Sequence, residues 1–340
     1  MSRISARIEA IEFYLPDQVI TNQDLANIYP EWSAEKIFDK TGIRERRIAG
    51  PGQTAGDLAF EAANKLFSKK HIHPSDVDFM ILCTQAPDYV LPTTACVLQE
   101  RLNIPRSAGA LDINLGCSGF VYALSLAKGL IETGAARCVL LLTADTYSKY
   151  IHPMDKSVRT LFGDAAAATI VAATTADHEH IGPFVFGTDG SGAKNLIVEA
   201  GLFRLPNSHH TSIEQKDNSG NIRSQENLYM NGAEVMTFSL REVPKAADSL
   251  LRKAGKSKEQ IDYFVLHQAN RFMLEALRKK LKIPKDKFPV LVEECGNTVS
   301  STIPITLYKM HQDGILKSSH KVMLIGFGVG YSWAACLLTI

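Results

Sequence analysis

Apolar runs and helical periodicities alternate along this chain. FMIL at 79–82, CVLLLTAD at 138–145, YFVL at 263–266 and KVMLIGFG at 321–328 are apolar almost throughout. Runs of that length predict strands buried on both faces, because a strand with one wet face would alternate. Between them lie amphipathic stretches. SGFVYALSLAKGLIETG (118–134) and TVSSTIPITLYKMHQDG (298–314) each show a helical repeat and close on a glycine, the residue that most easily takes the left-handed turn ending a helix. The opening MSRISARIEAIEFYLP alternates as a strand does and lacks the apolar core of a secretion signal. Strands and helices in succession predict an α/β fold, with mixed or parallel sheets covered on both faces.

The pattern also repeats. AANKLFSKKHIHPSDVDFMILC (62–83) and AADSLLRKAGKSKEQIDYFVLH (246–267) match at a constant offset of 184, sharing the Ala pair, Leu66/Leu250, Lys69/Lys253 and Asp78/Asp262. Gly134 follows Cys117 by 17 positions, and Gly314 follows Asn297 by the same 17. We read two duplicated α/β halves, 1–175 and 176–340. Residues 187–228, rich in Gly, Asn, Ser and His, have no partner in the first half and read as an insertion able to cover a site. The repeat pairs Cys117 with Asn297 at two helix starts, and Cys83 with His267 at two strand ends. Carboxyl ends of strands are where α/β sheets place ligands.

Composition narrows the classes. The 340 residues are 45% hydrophobic and 21% charged, with a formal net charge of +1. No global field argues for nucleic acid or an anionic membrane surface. No apolar run approaches the roughly 20 residues of a membrane span. Six scattered cysteines form no CxxC pair, which suits a reducing cytoplasmic setting with mostly inert buried thiols.

Four stretches carry candidate chemistry. Cys117 follows an apolar run and precedes small Ser118 and Gly119. A helix N-terminus there would favour a thiolate; the alternative is a buried gap-filler. His267, in VLHQAN, would accept a proton or donate to an oxyanion, or be a structural strand-end histidine. Asn297, in GNT, would cap a helix through its oxygen or donate through its nitrogen. Gly326, Gly328 and Gly330 in GFGVG permit tight turning. Their spacing and the strand that follows exclude a dinucleotide loop, and an oxyanion hole fits better. His152, His178, His209 and His210 lie in polar loops with no assigned role, and His71 and His73 read as surface loop.

Taken together, TGIRERRIA (41–49), DINLGCSGF (112–120), LFGDAAAA (161–168), MNGAEVMTFS (230–239), HQAN (267–270), GNT (296–298) and GFGVGYSW (326–333) resemble the ketoacyl synthase III family of the thiolase superfamily, in order and across nearly the whole chain. The resemblance implies a thiolase-like fold, two halves forming a layered α-β-α-β-α sandwich, with the nucleophile in the first half and His and Asn in the second. It implies that Cys117 takes an acyl group from acyl-CoA, and that a malonyl thioester on acyl carrier protein follows. His267 and Asn297 would stabilise the enolate left by carbon dioxide, and backbone N–H groups of Cys117 and Val329 would hold the oxyanion. No metal or other cofactor is implied.

By the same resemblance the protein is a homodimer in which Leu91 enters the partner's acyl pocket. Phe162 would line that pocket, Lys40 and Lys156 would meet CoA, and Arg271, Lys279 and Lys280 would dock the acidic carrier. The chain departs from the family pattern in four places. Val329 interrupts the final glycines, Trp32 lies further upstream than the common adenine-stacking tryptophan, and lysines stand at 40 and 156 where arginines are usual. Arg271 also lies one place early. The pathway is therefore left open between the initiation of fatty acid synthesis and a specialised relative that takes longer acyl groups or serves lipid, polyketide or glycoconjugate assembly. The alternatives are acyl transfer from Cys117 to an oxygen or nitrogen acceptor without decarboxylation, a non-catalytic partner subunit, and a cysteine hydrolase.

Overall fold

Two sheets form the frame of the computed structural model, which describes residues 3–69 and 72–340. His71 lies outside these residues, and His73 is exposed. The first sheet runs in the order Arg3–Tyr14, Ala165–Ala176, Cys138–Asp145, Phe79–Cys83, Gly109–Ile113. The second runs Ile181–Thr188, Ser332–Thr339, Lys321–Gly328, Tyr263–Leu266. Phe79–Cys83 pairs in parallel with Cys138–Asp145, as Tyr263–Leu266 does with Lys321–Gly328. The remaining neighbours among those four positions are antiparallel in both sheets. The sequence repeat is therefore a repeat of strand order. Among the described residues, Gly109–Ile113, at the edge of the first sheet, has no counterpart in the second.

The aspartate shared by the two copies explains part of the match. Asp78 accepts from the backbone N–H of Arg137 and Cys138 at 2.7 and 3.0 Å, and Asp262 accepts from that of Lys321 at 2.7 Å. Each carboxylate thus fixes the start of the next parallel strand, satisfying backbone donors that the sheet leaves unpaired.

Helices separate and cover the sheets. Gly119–Glu132 and Thr302–Gln312 lie between them, where Phe120, Leu124, Ile303 and Leu307 pack with Ile81 and Val171 of one sheet and Val265 and Leu324 of the other. Gly119–Glu132 buries one broad face, Gly119, Phe120, Val121, Ala123, Leu124, Ala127 and Ile131, and leaves Leu126 and Gly129 exposed on the other. Ala55–Lys69 and Thr94–Arg101 cover the outer face of the first sheet. Gly232–Ala254 and Arg271–Leu281 cover that of the second. The layers run α-β-α-β-α.

One expectation needs correction. The helix read from residue 298 begins at Thr302, after a 3₁₀ turn at Val299–Ser301. Val299 sits at φ +53°, a left-handed conformation that strains a β-branched residue. Total burial and a bond from its N–H to Asn297 Oδ1 at 2.9 Å hold it there.

The stretch 187–228 contains a 3₁₀ turn and short paired strands, and it is pinned to residues 150–156. Leu228 N–H donates to Tyr150 O (2.8 Å), Arg223 pairs with Asp155 (2.7 Å), and Lys156 Nζ donates to Ser219 O (2.7 Å).

Candidate functional site

Cys117 lies in the bend between the strand Gly109–Ile113 and the helix Gly119–Glu132, with 5% of its surface exposed. The second half reaches it through the strand Lys321–Gly328. A Cβ built on Gly326 would lie 2.8 Å from Cys117 O, and one on Gly328 3.1 Å from Cys117 Sγ. These two glycines were expected to turn the chain. Instead both lie within the strand, where the missing side chain lets one half press against the other's cysteine. Gly330, at φ +137°, supplies the turn. Ser118 Oγ and Ser332 Oγ, 2.6 Å apart, tie the same junction.

His267 follows the strand Tyr263–Leu266, and its N–H donates to Ile325 O (2.8 Å) on the strand that abuts Cys117. It is 2% exposed, its Nδ1 lies 2.8 Å from Thr302 Oγ1, and Phe327 meets its ring edge to face at 5.6 Å. Asn297 is placed by the LFGD stretch. Its N–H donates to Leu161 O (2.9 Å), and its carbonyl accepts from Gly163 N–H (3.0 Å). That crossing needs glycines on both strands, because a Cβ on Gly163 would lie 2.3 Å from Cys295 O and one on Gly296 2.7 Å from Leu161 O. Asn297 Oδ1 is occupied by Val299 N–H, so the side chain caps the turn with its oxygen and keeps Nδ2 as a donor. The cap and donor roles are thus compatible.

Burial governs the electrostatics. It pushes the Cys117 thiol well above its ordinary range, with buried Asp145 adding to the rise. The helix terminus was expected to favour a thiolate. Such a terminus contributes at most about 2 kcal/mol, whereas full burial moves a group by as much as roughly 3–5 pH units at about 1.4 kcal/mol each. Cys117 rests as the thiol. Burial holds His267 down to about 3, so its imidazole is neutral. Asp145 is pushed up to about 7 by burial, against hydrogen bonds from Ser300 and Gln85.

The other candidates disperse. Phe162 is buried beside Tyr147, ring centroids 5.2 Å apart, and is bridged through its backbone to Asn297. Val329 follows the strand and packs toward Gly116. Leu91 is 80% exposed on a tip with Tyr89 and Val90. Lys40 is exposed, its ammonium 5.4 Å from the Trp32 ring centroid. Lys156 differs from the expectation of an open CoA contact. It is 8% exposed, its ammonium bound to Ser219 O and to Glu31 at 3.1 Å. Arg271 is partly committed, paired with Glu293 (2.9 Å) and stacked on Phe38, while Lys279 and Lys280 are exposed. Sequence reasoning passed over Asp145 and Thr302. Asp145 reads as the last residue of an apolar strand and Thr302 as an ordinary first-turn residue, so no local signal marks either.

Known proteins share the sequence pattern and the fold of this chain. The model of 3-Oxoacyl-[acyl-carrier-protein (ACP)] synthase III matches residues 111–190, and that of its C terminal matches 251–340. A Beta-ketoacyl-[acyl-carrier-protein] synthase III of Caldanaerobacter subterraneus subsp. tengcongensis is 37% identical over 336 residues, 99% of this chain and 98% of its own. A 2.1 Å crystal structure of a 3-oxoacyl-(acyl-carrier-protein) synthase III is 68% identical with a TM-score of 0.98, covering 99% of this chain and all of that one. A 3-oxoacyl-(acyl-carrier protein) synthase from Burkholderia xenovorans LB400 is 38% identical with a TM-score of 0.90, covering 100% of this chain and 96% of that one.

Proposed function

The chain belongs to the 3-oxoacyl-[acyl-carrier-protein] synthase III family, and on that premise we propose that Cys117, His267 and Asn297 divide the two half-reactions of a decarboxylative Claisen condensation. The family's reaction joins an acyl group from acyl-CoA to malonyl-acyl carrier protein, giving 3-oxoacyl-acyl carrier protein, CoA and carbon dioxide. It needs no cofactor.

Cys117 Sγ attacks the thioester carbonyl, and the thiol proton leaves with the CoA sulfur. Backbone N–H groups of Cys117 and Val329 hold the oxyanion. In the second half-reaction the malonyl C–C bond breaks, carbon dioxide departs, and the electron pair goes to an enolate oxygen held by Asn297 Nδ2 and His267 Nε2. The enolate carbon attacks the acyl-Cys117 carbonyl and expels the thiolate, which takes a proton. Covalent capture splits one hard step into two easier ones. Fixed neutral donors are worth most where water is excluded. The observation that carries this reading is the occupied oxygen of Asn297, which leaves an N–H₂ donor linked through Val299 and Thr302 to a neutral imidazole.

The remaining roles follow in the same terms. We assign 1–175 to the nucleophile half and 176–340 to the half carrying His267 and Asn297. Phe162 lines the acyl pocket. The exposed Leu91 tip belongs in a homodimer, reaching the partner's pocket. Lys40 meets CoA, and Lys156 serves as a strut beneath the 187–228 stretch. Lys279 and Lys280, with the partly free Arg271, dock the acidic carrier. No helix among the described residues is long and apolar enough to cross a membrane, and we place the protein in the cytoplasm with its carrier.

Mass spectrometry with a panel of acyl-CoAs tests the reading. The parent is expected to gain one acyl group on Cys117, and Cys117→Ala none. Carbon dioxide release coupled to chain growth on adding malonyl-carrier protein supports condensation. An ester or amide product without carbon dioxide would replace it with simple acyl transfer.

A further inference from the structure

His267 must do two different things with one nitrogen. In the thiol exchange Nε2 serves best with a free lone pair, able to take the Cys117 proton on its way to the CoA sulfur. In the decarboxylation it must present an N–H to the enolate oxygen. A neutral imidazole carries one proton, so the partner of Nδ1 decides what Nε2 offers.

The nearest partner is Thr302, and the Val299 carbonyl also faces the ring as an acceptor. The Thr302 hydroxyl lies 2.8 Å from Nδ1 and 3.1 Å from Val299 O, and the residue is buried. With the hydroxyl proton on Val299 O, Thr302 Oγ1 accepts from Nδ1–H and Nε2 is bare. With the hydroxyl turned to Nδ1, Thr302 donates and the ring proton belongs on Nε2. Val299 is the fixed point of the arrangement. Its N–H holds Asn297 Oδ1 while its carbonyl competes for the Thr302 hydroxyl, so one strained residue orients both donors.

We propose that Thr302 is a positioning residue that acts through His267, its hydroxyl selecting which imidazole tautomer faces each half-reaction. This rests on the roles given above to Cys117 and His267. A change of tautomer leaves the ring neutral, and its proton is exchanged with water admitted between substrates.

The test pairs two variants with a measurement independent of turnover. Thr302→Val keeps the shape and removes the hydroxyl; Thr302→Ser keeps the hydroxyl. Thr302→Val is expected to slow carbon dioxide release from malonyl-carrier protein by about 10- to 100-fold, the scale set by loss of the group that orients a metal-bound histidine. Thr302→Ser is expected to stay within about threefold of the parent, on the same scale. Equal losses in both, or none in either, would overturn the proposal. Nitrogen-15 NMR of histidine-labelled parent protein reads the ring directly, even should Thr302→Val not fold. Two distinct ring nitrogens at neutral pH, one protonated and one bare, are expected at His267. A free-imidazole mixture of tautomers would sink the idea. If Cys117 takes no acyl group while the NMR result holds, the functional reading fails and the tautomer control stands.

Discussion

The two strand-to-helix junctions begin as copies and end as opposites. In the first half, Gly119 sits where a Cβ would lie 2.2 Å from Cys83 Sγ, so the helix starts directly on the strand end. Cys83 is fully buried, its thiol donating to Leu115 O at 3.1 Å. In the second half the matching positions hold Val299 and His267. A valine cannot approach a strand end as glycine does, and an imidazole needs more room than a thiol. The chain takes a 3₁₀ turn, and the helix starts three residues later, at Thr302. That detour creates both the space for the ring and the hydroxyl beside it. The first junction closes tightly beside Cys117; the second opens around His267.

Breaking the open junction is expected to have the largest effect. His267→Ala and Asn297→Ala each remove one donor from the enolate oxygen, and losing such a donor costs on the order of 100- to 1,000-fold in rate. Both variants should still take an acyl group from acyl-CoA onto Cys117, Asn297→Ala at close to the parent rate and His267→Ala more slowly, because the ring also carries the thiol proton during the exchange. Single-turnover acylation and carbon dioxide release, measured separately, decide it. Equal loss of both half-reactions would show that the junction supports the whole site rather than the second step.

Filling the closed junction should cost less, and the cost is read in stability. Gly119→Ala places a methyl against Cys83 Sγ and 3.2 Å from Leu115 Cβ. Overpacking of this kind costs about 1–3 kcal/mol. Cys83→Ala removes the sulfur that the methyl strikes, so the double variant should recover much of the loss. Urea unfolding of the two single variants and the double gives the coupling energy. Additive losses would mean the close approach is not what fixes Gly119.

The comparison also explains what the sequence made legible. The buried strands, the paired helices and the shared Asp78 and Asp262 were readable because each follows from local pattern repeated at a fixed offset. Cys117, His267 and Asn297 were readable because repeat and motif place all three at element ends. The difference between the junctions was not. It arises from contacts between residues far apart in the chain, Gly119 with Cys83 and His267 with Thr302, and periodicity records no such contact. The glycines at 326 and 328 were misjudged for the same reason: their need is set by Cys117, about two hundred residues away. Lys156, chosen by position as a free charge, is buried by a segment with no counterpart in the other half.

The smallest net effect is expected with pH, because two buried groups flanking these junctions oppose each other. Asp145 ends a first-half strand and accepts from Ser300 N–H (3.3 Å), Ser300 Oγ and Gln85 N–H (2.9 Å). Burial raises its carboxyl from 3.8 to about 7. The folded protein therefore holds a proton there that the unfolded chain loses above about 4, and stability from this group falls as pH rises from about 4 to 7. Burial lowers His267 from 6.5 to about 3. The unfolded chain then binds a proton that the folded one refuses, and stability from this group falls as pH drops from 6.5 toward 3. Each group alone changes stability by a few kcal/mol across its window, at roughly 1.4 kcal/mol for every pH unit crossed. Between about 4 and 6.5 they act in opposite directions and nearly cancel in the parent. Substitution should separate them. Relative to the parent, Asp145→Asn should lose stability on acidification from pH 7 to 5, and His267→Ala should gain it. Melting temperatures at the two pH values, compared across the three proteins, check the signs. Parallel profiles would mean that neither group is as deeply withdrawn from water as its place at the junction requires.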